Sequence, residues 1–521
     1  MVRRHIKIPP VYPAALGAAL FFYVPVYSGL SARHSFLAAF GLLCVLSAAN
    51  AARPLIGPKH GGHAVFLFVI ALTLGGLTGY LSSVRMTIGD GLPSTLVELE
   101  RVSVLRGTFL EDPSPYGPRS YRARIRVSRV GTPNGSSGSA SGTCVVAIPS
   151  TLVREASPGS IRVTGGGVVP YAKGLTLELA GGFSANSGER SGPALFLVDD
   201  KAETPVKALS WDNALSRERA TLRLALARRL YDWGAAGGFL FALISGNRDY
   251  LDPGLASDFS RCGLAHVLAL SGTHLSLLAL LVLKAGRRVA GKRVSVVLSI
   301  LAMTVFVWFA GSSPSLDRAL LFALLAVLAS SLGLEIRMLP LLAASSLVQL
   351  VLDPRDVASL AFMLSVTALW GILSFGDSVR YLCERFIPGG ALAEISASVG
   401  AQLMTAPVLV VFIGVLAPSG LLASCIVAPL SSVYIVAGSS LLVVSATIPA
   451  FSPFFGQCLE LLYGPIAGTA RLFAHIPVLE PRVLPASFAA GIIPVVAGIA
   501  VSLASAASRK RRFLDGAFAG L

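Results

Sequence analysis

The sequence predicts a polytopic α-helical membrane protein of about 10–12 spans with one small all-β domain inserted between them. Hydrophobic residues make up 54% of the chain and charged residues 13%, about half the charged share of ordinary soluble domains. Apolar runs of about 20 residues, enough to cross a bilayer, recur before residue 90 and after residue 236. Between residues 95 and 205 the apolar runs are short and alternate, which is typical of strands.

Three apolar segments come before the β region and predict an N-terminal membrane unit over residues 1–90. The candidate spans lie at about 12–30, 36–52 and 64–83. Basic residues precede the first span and separate the second from the third: Arg3, Arg4, Lys7, Arg53 and Lys59. Because basic residues concentrate in cytoplasmic loops, we expect a cytoplasmic N-terminus and an extracytoplasmic β region.

Residues 95–205 predict a small closed barrel outside the cytoplasm. The stretches "SYRARIRVSRV", "TCVVAIPS" and "LTLELAGGF" alternate apolar with polar residues, and "TPNGSSGSASG" is typical of a flexible connection. About six short strands favour an OB-like fold, which is a small barrel of this size.

Residues 206–235 predict an amphipathic helix at the membrane surface, because "DNALSRERATLRLALARRLYDW" places its charges on one side of a helix. A second membrane block covers 236–507, and a basic tail covers 508–521. The candidate spans lie at about 262–283, 294–310, 318–334, 338–352, 357–375, 395–416, 419–447 and 484–507.

Basic residues also orient this second block. The loop "KAGRRVAGKR" between its first two spans and the terminal "SRKRR" both predict cytoplasmic positions. The tail reaches the cytoplasm only if 419–447 is a broken or re-entrant pair, which Pro429 makes feasible.

The motifs exclude several kinds of site. The sequence has no Walker loop, no dinucleotide fingerprint and no HExxH motif. His60 and His63 form an HxxH without acidic or thiol neighbours, so we expect neither a metal nor a cofactor. The six cysteines are scattered, which argues against a disulfide framework. The net charge of +16 is weak evidence for an anionic partner, since membrane proteins place such an excess in cytoplasmic loops.

The stretch "HVLALSGTHLSLLALLV" (266–282) is apolar enough for a span yet holds Ser271, Gly272 and His274 in its middle. Ser271 and His274 are three residues apart and are expected to share a helix face, while Gly272 lets another backbone approach. Three interpretations stay open: hydrogen bonds between helices, the lining of a solute path, or a serine nucleophile with a histidine base. The third lacks an acidic orienting group and an oxyanion loop.

Residues 242–282 resemble the signature of the ComEC competence family of DNA-uptake channels. The pattern "F-x-x-x-G-L-x-H-L-L-A-I-S-G-L-H-V" is matched by Phe259, Gly263, Leu264, His266, Leu268, Ala269, Ser271, Gly272 and His274. Later stretches are similar to family segments in the same order, through Gly311, Ser315, Arg318 and Ala319, then Asp353, Pro354, Phe362, Leu364 and Ser365, then Gln402, Pro407 and Pro429. Ala361 and Ser424 depart from the usual glycine and asparagine. The resemblance covers about 235–450.

The resemblance implies a channel in a bacterial cytoplasmic membrane that passes single-stranded DNA inward during natural transformation. It implies as partners single-stranded DNA, membrane lipid, a cytosolic helicase or translocase, DNA-receptor proteins and, as an open possibility, further copies of the chain. Many members of the family end in a metallo-β-lactamase-like domain with an H-x-H-x-D-H motif, which this sequence lacks. We therefore expect no enzyme activity and a separate nuclease. The alternatives are a transporter of another polar or anionic solute, or an intramembrane hydrolase using Ser271 and His274.

Polar side chains at span depth are expected to line the path. The predicted lining residues are Ser271, Gly272, His274, Arg318, Ser365 and Gln402. For Arg318 the alternative is an ion pair or a place at the outer interface. In the β domain, Arg122, Arg124 and Arg126 share one strand face and predict a contact with a nucleic-acid backbone. The alternative for them is a solvated sheet face.

Overall fold

The computed structural model describes residues 99–518 except at 118, 134–135, 155–158, 166, 185–193, 385–388 and 481–483, and before them residues 12, 15, 19, 23, 74–79, 81–82 and 94–95. The spans predicted at 12–30, 36–52 and 64–83 lie mostly outside the described residues and stay predictions. Two side chains from them pack on the later helices. The Tyr23 hydroxyl donates to the Val357 carbonyl at 2.8 Å, and the Ser82 hydroxyl donates to the Leu350 carbonyl at 3.4 Å.

The β region contains long strands that alternate buried and exposed residues. The strands are β1 Ser94–Thr95, β2 Val104–Phe109, β3 Ser114–Pro115, β4 Ser120–Gly131, β5 Ser137–Pro149, β6 Ser160–Arg162, β7 Val168–Pro170, β8 Leu175–Phe183, β9 Leu195–Val198 and β10 Val206–Trp211. A short helix, α1 Ser150–Arg154, follows β5. Side chains from most of these strands fill the core, including Phe109, Ile125, Ile148, Leu177 and Phe196.

Five of these strands close a barrel. β2 pairs with β4, β4 with β5, β5 with β9, β9 with β8, and β8 with β2. Of these five pairings, β5–β9 is parallel and the other four are antiparallel. This closed order, with a helix after the third barrel strand, is that of an OB-type barrel. The predicted OB-like domain is therefore confirmed.

The sheet continues past the boundary predicted at residue 205. β10 pairs with β8 from Val206 to Trp211, so the first residues of the predicted interfacial segment 206–235 belong to the sheet. The physical reason is backbone pairing, because β10 satisfies hydrogen-bonding groups that β8 would otherwise leave open. The rest of that segment forms α2 Ala214–Tyr231 and the first turn of α3 Gly234–Ser245.

Helices make up the rest of the described chain. They are α4 Pro253–Arg261, α5 Ala265–Leu268, α6 Gly272–Val289, α7 Gly291–Ala310, α8 Pro314–Ser331, α9 Met338–Leu352, α10 Pro354–Ala358, α11 Leu360–Cys383, α12 Gly389–Phe412, α13 Ser419–Thr447, α14 Ser452–Ala474 and α15 Leu484–Phe518. Among the described residues, six helices are long and apolar enough to cross a membrane: α7, α8, α11, α12 from Leu392, α13, and α15 over Ala489–Ser508. The chain is thus a multi-pass helical membrane protein with a β domain.

The expected break in 419–447 is wrong, because α13 runs unbroken over this segment with Pro429 inside it. After one short turn, α14 follows α13 and packs against it. The sequence analysis did not predict α14, in which Glu460 and Arg471 interrupt the apolar sequence.

α2 lies between the barrel and the membrane helices, and two of its arginines face inward. The Arg219 and Arg223 side chains are 7% and 12% exposed, and both contact Asp112 in the β2–β3 loop. Arg219 donates to the two carboxylate oxygens of Asp112 at 3.0 and 2.5 Å. These three residues form the interdomain joint. Some charges of α2 therefore bind protein groups instead of facing water.

The interdomain joint also reaches the ends of two membrane-domain helices. Arg219 Nε donates to the Phe309 carbonyl at 3.2 Å, near the end of α7, and Arg223 Nη2 donates to the Ser245 carbonyl at 3.1 Å, at the end of α3. The last carbonyls of a helix have no partner within it, so cations are favourable there. The joint fixes the barrel at the end of α7 that lies opposite the basic turn.

Candidate functional site

The helix is broken in the middle of the 266–282 motif. α5 ends at Leu268 and α6 begins at Gly272, so Ser271 is the residue that precedes the first turn of α6. The predicted single span over 262–283 is therefore wrong, and Ser271 and His274 do not share a face of one continuous helix. The extended backbone of Ser271 ends the intrahelical hydrogen bonds, which hydropathy cannot detect.

The Ser271 and His274 groups make local contacts at this break. His274 Nδ1 accepts a hydrogen bond from the backbone N–H of Ser271 at 3.4 Å. The Ser271 hydroxyl lies 2.5 Å from the Thr273 hydroxyl. The imidazole thus holds the start of α6, and the Ser271 hydroxyl is not bonded to it as a nucleophile would be to its base.

Arg318 comes from α8 to the first turn of α6. It is 6% exposed, and a Cβ added to Gly272 would lie 3.7 Å from Arg318 Nη2 and 3.1 Å from the Ala319 Cβ. Gly272 is therefore a position of close approach between α6 and α8. The sequence reasoning placed both residues on the path, and the structure brings them together.

Ser365 on α11 completes this group. Its hydroxyl oxygen accepts from Arg318 Nε at 3.0 Å and from Nη2 at 2.8 Å, and it lies 3.0 Å from the Ser315 hydroxyl. Three helices thus converge on the guanidinium through neutral groups. Ser315 was recognised in the motif but not as a site residue, although its spacing of three from Arg318 places both on one helix face.

No carboxylate lies within ion-pair distance of Arg318 in the described part of the chain. Its neighbour Asp317 accepts from the Ser312 hydroxyl at 2.5 Å instead. An arginine in the hydrocarbon region costs roughly 3 kcal/mol even on lenient scales, so such residues usually face a polar partner or a water-filled path. The predicted alternative of an ion pair for Arg318 is thus not observed among these residues.

Gln402 stands apart from the group. It lies on α12, is half-buried and makes no hydrogen bond to the described residues. A polar residue that the sequence reasoning missed is Gln349 on α9, which is 2% exposed and donates to the Pro314 carbonyl at 3.0 Å. Gln349 is a polar residue inside an apolar helix, as Gln402 is, and the same sequence criterion could have identified it.

Carboxylates lie near the C-terminal end of α9. Gln349 also donates to Asp356 in the short helix α10, at 3.4 Å. Burial, and after it the charges of Asp353 and Asp317, raises the pKa of Asp356 to about 6. Within the described residues, no three His, Cys, Asp or Glu side chains are grouped closely enough to hold a metal ion.

The arginine row lies on the second strand of the barrel. On β4, Arg122 and Arg126 are exposed and Arg124 is half-buried, whereas the residues between them face the core. Arg124 forms an ion pair with Glu111 at 3.2 Å, and Arg122 stacks over the Tyr116 ring at 5.4 Å. Arg126 lies beside Thr108 of β2 and Thr143 of β5. The three side chains share a face, and one of them is already paired.

Comparison with protein-family models identifies the family of the chain. The family model described as competence protein matches residues 243–509, just over half of the chain. The match includes α6, α8 and α11, which contribute the group around Arg318, and α12, which carries Gln402. No curated protein and no solved structure matches the chain. By this match, the chain is a multi-pass membrane protein that belongs to the competence protein family.

Proposed function

We propose that this protein passes single-stranded DNA across the bacterial cytoplasmic membrane during natural transformation. Membership of the competence family indicates a role in DNA uptake. The observation that carries the finer proposal is Arg318, a buried cation held by neutral groups where three membrane helices converge. A polyanion that crosses a bilayer needs polar groups at that depth.

The OB barrel supports the same reading on the outer side. Single-strand-binding OB folds use a positively charged groove, and the face of their second and third strands commonly contacts the ligand. Here the second barrel strand carries Arg122 and Arg126, and the interdomain joint holds the barrel against α7 and α3. A DNA strand that binds to the barrel is therefore already close to the membrane helices.

The proposed orientation places the N-terminus and the basic turn between α6 and α7 in the cytoplasm. The helix ends on both sides of that turn are exposed and carry Lys284, Arg287, Arg288, Lys292 and Arg293. Energy would come from a cytosolic helicase or translocase, and strand degradation from a separate nuclease. The rival proposal is that the protein transports another anionic solute. It also requires Arg318, but it predicts a different result in the DNA uptake test.

The uptake test supplies labelled duplex DNA to a competent host and scores nuclease-resistant entry separately from surface binding. Deletion of the protein should abolish entry while DNA stays bound at the surface. His274→Ala should lower entry by a few-fold, because it removes the acceptor that holds the start of α6. His475→Ala, at the exposed end of α14, is the matched control. In this variant DNA should enter at the wild-type rate. Unchanged entry in the deletion strain would remove the DNA proposal and favour the other solute.

The arginine row gives a second prediction, tested with the purified full-length protein. Changing Arg122 and Arg126 together to alanine should weaken single-stranded DNA binding by about tenfold and lower the slope of log affinity against log salt by about 1.4, for two lost phosphate contacts. Lys201→Ala, in an exposed turn after β9, is the control. If both proteins bind alike, the row is an ordinary solvated sheet face.

A further inference from the structure

We propose that the first turn of α6 and the side chain of Arg318 form a binding site for one phosphodiester group of the DNA strand. This α6 anion site consists of the backbone N–H groups of Gly272 and Thr273, the Arg318 guanidinium and the Ser365 hydroxyl. The inference rests on the proposed function and names the chemical group that the path binds.

The guanidinium charge needs an anion. Arg318 is 6% exposed, and within the described residues its hydrogen bonds go to one neutral acceptor, the Ser365 hydroxyl. These bonds use Nε and Nη2, which leaves Nη1 without a hydrogen bond from that part of the chain. A buried arginine normally has a carboxylate or phosphate partner, and it binds phosphate through two parallel N–H groups.

The second feature is the start of α6. The first N–H groups of a helix have no acceptor within it, and the helix dipole makes this end partly positive. No described residue accepts a hydrogen bond from the N–H of Gly272 or Thr273. The Thr273 side chain is exposed, so this turn opens to space outside the packed helices. Exposed N–H groups of this kind are common phosphate sites.

Gly272 brings the two features together. Because residue 272 has no side chain, Arg318 Nη2 approaches the α6 backbone, and a methyl group there would lie 3.7 Å from Nη2. The nearest carboxylate in sequence, Asp317, is bonded to Ser312. One buried cation and one helix start are thus close to each other, with hydroxyl groups around them. A single phosphate can contact both, and neither group distinguishes one base from another.

The test measures binding of labelled oligothymidylate to the full-length protein in nanodiscs of phosphatidylcholine, over a series of salt concentrations. Arg318→Gln should weaken binding by about tenfold and lower the salt slope by about 0.7, for one lost phosphate contact. Arg318→Lys should recover part of the affinity. Gly272→Ala keeps the charge but crowds the site, and it should also weaken binding. Arg287→Gln, an exposed cation at the other end of α6, should change affinity less than twofold.

The outcomes separate the site from the proposed function. If the wild type binds the oligonucleotide and Arg318→Gln has the same affinity and salt slope, the site is wrong and the channel proposal stands. If the wild type binds no oligonucleotide, the channel proposal fails and the site fails with it. If the effect of Arg318→Gln needs phosphatidylglycerol in the nanodisc, the anion is a lipid headgroup. If inorganic phosphate binds in an Arg318-dependent way and the oligonucleotide does not, the site takes a free anion.

Discussion

Asp112→Asn should destabilise the whole protein by about 3 kcal/mol. The substitution removes the negative charge of the interdomain joint but leaves Arg219 and Arg223 in place, with side chains 7% and 12% exposed. Two neighbouring buried cations then repel each other without a counter-ion, which is the costly way to break a buried ion pair. The measurement is the melting temperature of the purified protein in detergent, together with the rate at which protease separates the barrel from the helices.

Glu111→Gln is the matched control because it changes the adjacent carboxylate. Glu111 is 45% exposed and pairs with Arg124, which is itself 32% exposed. Surface pairs contribute about 0–1 kcal/mol, and a glutamine oxygen still accepts from the Arg124 backbone N–H. We therefore expect a small shift. Equal shifts in the two variants would mean that the joint does not stabilise the attachment of the barrel.

The same joint predicts a dependence on pH. Burial acts to raise the pKa of Asp112, but the guanidinium groups of Arg223 and Arg219 outweigh it and hold the pKa well below its ordinary value. The carboxylate is therefore more acidic in the folded than in the unfolded chain. Its stabilising effect is complete above about pH 5 and is lost as the pH falls towards the lowered folded-state pKa. The difference in melting temperature between wild type and Asp112→Asn should shrink below about pH 4.

Local patterns in the sequence predicted most of the fold. Alternation along β4 predicted that Arg122, Arg124 and Arg126 share one face of the strand, and in the structure the residues between them face the core. That alternation follows from the strand backbone, so it needs no knowledge of the partner strand. Long apolar runs identified most of the long helices in the same way, but α3 and α14 were not among the predicted spans.

The parts that could not be predicted depend on contacts distant in sequence. Asp112 is an ordinary loop carboxylate until α2 brings two arginines to it, and more than 100 residues separate it from them. The break at Ser271 is also hidden, because apolar residues continue through it and no proline marks it. Arg318 and Ser365 were both named as path residues from the motifs, but the hydrogen bonds between them required the packing of α8 on α11.

Gly371→Ala should destabilise the packing of α11 on α12 by about 3 kcal/mol or more. A Cβ at residue 371 would lie 2.1 Å from the Gly400 carbonyl oxygen, a distance that real contacts do not reach. The obstacle is backbone, so no side-chain rotation relieves it, and the two helices must separate. Close backbone approach through small residues is a main source of helix association in membranes.

The effect should extend to the group around Arg318. Ser365 lies six residues before Gly371 on α11, about 9 Å along the helix axis, so a displaced α11 carries the acceptor of Arg318 with it. Gly376→Ala on the same helix is the matched control, since the nearest atom to its Cβ is 3.9 Å away. This control should be neutral or slightly stabilising, because alanine favours a helix over glycine by about 1 kcal/mol. The measurements are the monodisperse fraction in detergent, the melting temperature and DNA entry. Similar values for the two variants would show that α11 and α12 do not need the glycine contact.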